Sequence, residues 1–239
     1  MTAPAAIPTP GAKPIASNRP PLLENGDRLT RAEFERRFDA MPGLKKAELI
    51  EGVVHMPSPV RLLYHGQQHF FGITWLGTYC VQTPGVLGGD NTSVRLDMEN
   101  EPQPDALLLI DPARGGQARL DLDGYIEGAP ELALEISSST VSYDMHGKFR
   151  VYRRNGVREY IVWRVLDRAV DWFVLRATEY ERLQLDAAGV YRSEVFPGLW
   201  LDAAALIDGD MPQVQRVLQQ GINSPEHAAF VGRLQSAKA

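Results

Sequence analysis

Two acids and a lysine are the residues of this chain best suited to chemistry. Asp105 follows Pro104 and stands directly before an apolar run, Ala106 to Ile110. Glu135 sits inside LALEIS (132–137), where a charge among Leu132, Leu134 and Ile136 is costly unless it meets water, a partner or a metal. Lys148 closes the segment DMHGK (144–148) shortly afterwards. Carboxylates are the hard oxygen ligands that Mg2+ takes. A bound Mg2+ offsets charge on a phosphate and lowers the pKa of its water, and a lysine orients that water or neutralises developing charge. These are the parts of metal-assisted phosphodiester hydrolysis. Two carboxylates about 5 Å apart repel by roughly 3 kcal/mol at an effective dielectric of 20, and a shared cation removes that cost. Each residue also has a plainer account. Period-2 alternation puts Glu131, Ala133, Glu135 and Ser137 on one face, which suits the solvated face of an edge strand. Asp144 and Lys148 are four apart, the spacing of a helical ion pair worth roughly 0.3–0.5 kcal/mol; the functional account has Lys148 reaching back toward Glu135.

Other chemistries find less support. His65 and His69 fall on one helical face at zinc-ligand spacing, but the position after the first histidine is Gly66 rather than the glutamate a zinc protease needs. Polar residues on a helix flank account for them better. The single cysteine, Cys80, ends an apolar helix and reads as a core residue. Ser137, Ser138 and Ser139 lack the glycine-flanked elbow of a hydrolase nucleophile. Gly88, Gly89 and Asp90 read as a turn, and no phosphate-binding loop or dinucleotide fingerprint is present. Charge is unevenly laid out. Residues 146–176 hold eight Lys/Arg against three acids, a net +5, while the remainder carries −10. Arg150, Arg153 and Arg154, on the side of the helix away from Lys148, are the candidates for tracking a phosphate backbone. A solvated helix and meander explain the same charges.

The elements that must position these residues read as one mixed α/β domain. The 239 residues and 44% hydrophobic content suffice for a single core without disulfides. No apolar run is long enough for a transmembrane helix, and no signal peptide is visible, so a cytoplasmic protein is expected. Residues 1–25, with six of the seventeen prolines, read as a disordered arm. Thr30 and Glu33 form a capping-box pattern opening a helix to about Met41. Residues 46–56 predict a strand pair, or one long strand, with a turn at Glu51-Gly52. Residues 61–80 predict a core-facing helix through Leu62, Leu63, His69, Phe70, Ile73, Leu76 and Tyr79. Short strands follow at 86–87, 92–96, 106–110 and 132–137, then a helix over 143–155 and a meander at 159–165, 169–175 and 180–185. Residues 189–192 and 200–201 add short strands, and Asp202 caps a helix to Ile207. The domain runs over 26–209, and 210–239 forms a helical extension.

Five segments occur in a telling order: ELIEGVVHMPSP (48–59), QPDALLLIDP (103–112), PELALEISSST (130–140), DMHGKFRVYRRNGVREYIVW (144–163) and FPGLWLD (196–202). Together they resemble the Uma-two family of restriction-endonuclease-like proteins, within the PD-(D/E)xK nuclease superfamily, over roughly Asp27 to Asp208. The resemblance implies a restriction-endonuclease-like α/β fold with a central mixed sheet flanked by helices. It makes Asp105 and Glu135 the motif acids and metal ligands. Glu48 completes the metal shell, and the Ile136 carbonyl is a further ligand by analogy. The lysine usual two residues after the glutamate is Ser137 here, and Lys148 matches a relocated one that handles the attacking water. Ser138 and Trp163-Arg164 depart from the family pattern without touching the ligands. The implied activity is a Mg2+-dependent DNA endonuclease, with Mn2+ as a substitute. The alternatives are a non-catalytic nucleic-acid-binding or assembly module that keeps the fold, and a nuclease of RNA or branched DNA. Cutting both strands of a duplex suits a twofold homodimer.

Overall fold

The computed structural model describes residues 20–56 and 61–237. Most of the proline-rich arm, 1–19, and the end of the first family segment lie outside the described residues. Helix α1 (Arg31–Asp39) leads to a hairpin, β1 (Glu48–Ile50) and β2 (Val53–His55). Glu51 and Gly52 both take positive φ in its tight turn. Helix α2 (Gln67–Val81) is preceded by a π-helical turn over Leu62–Gly66. Then come β3 (Val86–Asp90), β4 (Val94–Arg95), β5 (Ala106–Ile110), β6 (Arg119–Leu120), β7 (Ile126–Glu127) and β8 (Leu132–Ser137). A second π-helical turn, Tyr143–Lys148, runs straight into α3 (Phe149–Asn155). The chain continues through β9 (Glu159–Arg164), β10 (Ala169–Arg176), β11 (Glu179–Arg182), β12 (Val190–Arg192) and β13 (Trp200–Asp202). It ends in α4 (Ala203–Asp208), α5 (Met211–Ile222) and α6 (Pro225–Ser236).

Six strands form the central sheet, in the order β11-β10-β9-β8-β5-β3. Only β8 and β9 are parallel; the other pairs are antiparallel. The α3 segment is the crossover that a parallel pair requires. β8 is therefore an interior strand, not the edge strand its alternation allowed, and all six of its residues are buried. On one face Leu132, Leu134 and Ile136 join Trp75, Trp163 and Trp172 in the main core. Helix α2 lies so close there that a Cβ on Gly72 would come within 2.9 Å of Leu134 Cδ2. On the other face Ala133 packs with Tyr152, Tyr160 and Phe173 beneath α3. Val214, Leu218, Ile222, Phe230 and Leu234 carry α5 and α6 into the main core, so the C-terminal helices share it with the sheet.

Three local expectations are corrected. Thr30 does precede α1, but its side chain makes no capping bond. Glu33 accepts from Arg36 and Arg37 at 2.7 Å instead, because arginines three and four residues on compete for the same carboxylate. Leu62, Leu63 and Phe70 are 71%, 68% and 67% exposed rather than core. The π-helical turn shifts the phase before α2 begins, and the inward face is Gly72, Trp75, Leu76 and Tyr79. Gly88, Gly89 and Asp90 are not a turn but the second half of β3, opposite Leu108, Leu107 and Ala106. Among the described residues no helix is long and apolar enough to cross a membrane.

Candidate active site

Register brings the two acids together. Ala106 pairs with Leu134, so Asp105, one residue before β5, falls beside the end of β8. The Ile136 N–H donates to Asp105 Oδ2 at 2.8 Å. That bond leaves Oδ1 facing the cavity, with Lys46 Nζ at 3.4 Å and His65 Nε2 at 3.5 Å. Burial alone would raise the Asp105 pKa. The His65 hydrogen bond and the charges of Lys46 and Lys148 outweigh it and hold the carboxyl well below its usual range.

Glu135 lies on the α3 side of β8. Its Oε1 accepts from Lys148 Nζ and from the Tyr152 hydroxyl, both at 2.8 Å. Oε2 accepts no hydrogen bond from a described residue. Burial pushes the Glu135 pKa up; Lys148 opposes this, and Asp105, Asp144 and Glu48 reinforce it. Lys148 is 3% exposed. Its ammonium also forms an ion pair with Glu48 Oε1 at 2.7 Å, and burial, which would discharge it, is overcome by Glu135, Glu48 and Asp144, so its pKa rises. The helical Asp144–Lys148 pair does not form. Asp144 Oδ2 accepts from Thr140 Oγ1 at 2.6 Å instead, because the π-helical turn widens the helix between them. Glu48 Oε1 further accepts the Gln103 N–H at 2.7 Å. Four buried carboxylates thus surround one buried ammonium.

These groups line an open cavity of about 1470 Å³, together with Lys46, His65 and His69. The sequence reads the two histidines as flank residues, but they line the site. His69 Nε2 lies 2.9 Å from the Asp105 carbonyl and 3.0 Å from Asp90 Oδ1. Lys46 carried no motif. The only signal was its period-2 spacing from Glu48, which places both on one side of the segment entering β1. The Tyr152 contact had no signal beyond sharing a helical face with Lys148.

Arg150, Arg153 and Arg154 do not line the cavity. They lie along α3 against acids from elsewhere: Arg150 with Glu51 at 2.9 Å, Arg154 with Asp97 at 3.5 Å, and Arg153 with Glu179. Seven of the eight basic residues of 146–176 have an acidic partner. The basic segment is neutralised in three dimensions.

Among the described residues no three His, Cys, Asp or Glu side chains converge as a preformed metal cluster. Magnesium does not need one, since it keeps several waters and takes one or two carboxylates. Asp105 Oδ1 and Glu135 Oε2 supply hard oxygens where negative charge exceeds positive, so the residues fit such an ion.

No curated protein matches the chain significantly. Among solved structures, one described as a putative nuclease belonging to DUF820 from Anabaena variabilis is 15% identical, with a TM-score of 0.48, and the match covers 71% of this chain and 97% of that one. The model of a family described as "Uma2: putative restriction endonuclease" matches residues 31–204, most of the chain, and the chain belongs to that family.

Proposed function

We propose that this protein is a metal-dependent nuclease that hydrolyses phosphodiester bonds in DNA. The observation that carries the reading is the excess of carboxylate at the cavity: Glu48, Asp105, Glu135 and Asp144 are buried around Lys148, and one oxygen each of Asp105 and Glu135 is left without a backbone or hydroxyl partner. Asp105 and Glu135 would hold Mg2+ or Mn2+, with the Ile136 carbonyl and Glu48 as supporting donors. When bound, such an ion offsets phosphate charge and acidifies water. The protein's own share is positioning. The Ile136 N–H fixes the Asp105 carboxyl, and Lys148 with Tyr152 fixes that of Glu135. The Lys148 ammonium pairs with both Glu135 and Glu48 and so holds the two carboxyls against the cavity. Hydrolysis forms one P–O bond to water and breaks the bridging P–O bond, and the water proton passes to the leaving oxygen. Arg150, Arg153 and Arg154 would follow a duplex beyond the cavity only by exchanging their acidic partners for phosphates.

The test is a cleavage assay on plasmid, duplex and single-stranded DNA and on RNA, with Mg2+, Mn2+ or chelator. Wild type should cut DNA only with metal, and Asp105→Asn and Glu135→Gln should not cut. Folded wild type that cuts none of these substrates with either metal refutes the reading and leaves a non-catalytic module. Preferential cutting of RNA moves the substrate while keeping the chemistry.

A further inference from the structure

Phosphoryl transfer needs a cation that can touch the phosphate, and Lys148 is poorly placed to be that cation. It is 4% exposed at its side chain and bridges two glutamates. The cavity has two other Lys/Arg residues among its lining, Lys46 and Arg61. Arg61 makes no ion pair with a motif acid among the described residues. Lys46 does: its Nζ is 3.4 Å from Asp105 Oδ1, the oxygen that faces the cavity, and its side chain is 26% exposed. The same ammonium donates to Asn91 Oδ1 at 2.7 Å. Asn91 is itself held, donating to Asp90 Oδ1 at 2.7 Å from a left-handed backbone position just past β3. Lys46 therefore stands at the mouth, aimed at the open side of Asp105, on a built support.

We infer that Lys46 is a catalytic residue that contacts the phosphate being hydrolysed, and that Lys148 is a positioning residue acting through Glu135. The inference rests on the proposed nuclease function. An ion taking Asp105 Oδ1 competes with Lys46 for that oxygen. The ammonium keeps its Asn91 bond and has hydrogens left for a non-bridging phosphate oxygen beside the ion. The sequence points the same way. Ser137 replaces the superfamily lysine, and its side chain is buried against Thr140 rather than open to substrate. Lys46, in the segment entering β1, brings an ammonium with an accessible head to the same acids.

The experiment uses the full-length protein and has two readouts. The first is binding of a short fluorescein-labelled DNA duplex in calcium, which replaces magnesium to slow turnover, measured over a range of potassium chloride. Lys46→Ala should bind about 10-fold more weakly, and its log-affinity slope against log salt should fall by about one, the signature of one lost phosphate contact. Lys46→Arg should recover both. The second readout is cleavage in magnesium, where Lys46→Ala should lose about 10²–10³-fold in kcat, as when one charge-stabilising donor is removed. Its melting temperature should fall by no more than about 4 °C, since a partly exposed ion pair is worth only about 0–1 kcal/mol. Lys148→Met should show the opposite pattern, a lowered melting temperature with an unchanged salt slope. Unchanged affinity and slope in Lys46→Ala, with wild type binding and cutting, overturns the inference and spares the nuclease reading. A reduced slope with full cleavage places Lys46 on a distant phosphate and overturns its catalytic role. Wild type that neither binds nor cuts any nucleic acid overturns both.

Discussion

Replacing Lys148 by methionine removes the ammonium buried among four acids. The side chains are of similar length, so the main loss is charge. Glu48 Oε1 and Glu135 Oε1 lie 2.7 and 2.8 Å from the one nitrogen. The two oxygens are thus no more than about 5.5 Å apart, and their repulsion is about 3 kcal/mol at an effective dielectric of 20. Breaking a buried ion pair by deleting one partner costs about 3–5 kcal/mol, in the same range. For a chain of this length each kcal/mol lowers the melting temperature by about 2–4 °C. Lys148→Met should therefore melt roughly 6–20 °C below wild type near pH 8, by calorimetry or circular dichroism. Without the ammonium, burial and the neighbouring acids hold the Glu135 carboxyl above its unfolded value. Its uncompensated charge is present at high pH and is lost as pH falls through that raised value, so the deficit should shrink toward pH 5. Adding Glu48→Gln and Glu135→Gln to Lys148→Met should recover most of the stability, because no buried charge remains in the triad. A Lys148→Met protein melting within about 2 °C of wild type at pH 8 would refute the buried triad, since an exposed pair is worth only about 0–1 kcal/mol.

Saturating Mg2+ or Mn2+ should stabilise wild type by mass action, about 2.7 kcal/mol at one hundred times Kd, and Glu135→Gln should abolish the shift; stabilisation by Zn2+ alone would move the metal to His65 and His69. Burial raises Glu159 to about 7 despite hydrogen bonds from Ser193, Glu194 and Val195. Its contribution is fully present below the unfolded value and lost as pH rises through 7, so Glu159→Gln should gain on wild type by on the order of 2–3 kcal/mol between acid and pH 8, and parallel denaturation curves at both pH values would exclude this. Leu218→Ala should cost about 2–5 kcal/mol in urea unfolding, because α5 completes the main core; a loss under 1 kcal/mol would make the helix dispensable. Charge reversal of Arg150, Arg153 and Arg154 together should weaken DNA binding and flatten its salt dependence, and an unchanged Kd would confine DNA to the cavity.

Local pattern alone marked most of the elements, though not β6 or β7, and singled out Asp105 and Glu135 as candidate acids. Alternation marked the strands, and a glutamate inside LALEIS was conspicuous because its neighbours were apolar. Those signals survive because they depend on residues two to four apart. Even the reach of Lys148 toward Glu135 follows from a strand and a helix that are nearly contiguous. The tertiary structure decided what those patterns could not carry. Whether β8 was edge or interior depended on β5 and β9 flanking it, and on α2 closing against it at Gly72. The phase of the helix after residue 61 was set by a π-helical turn, which the apolar spacing does not encode. Charge depended most on distant segments. The arginines of α3 looked free in sequence, yet their partners Glu51, Asp97 and Glu179 come from other elements. Lys46, His65 and His69 reach Asp105 or its backbone from positions 36 to 59 residues away. Coulomb and hydrogen-bond energies depend on separation in space, so the site's electrostatics took form only when the sheet brought its far segments together.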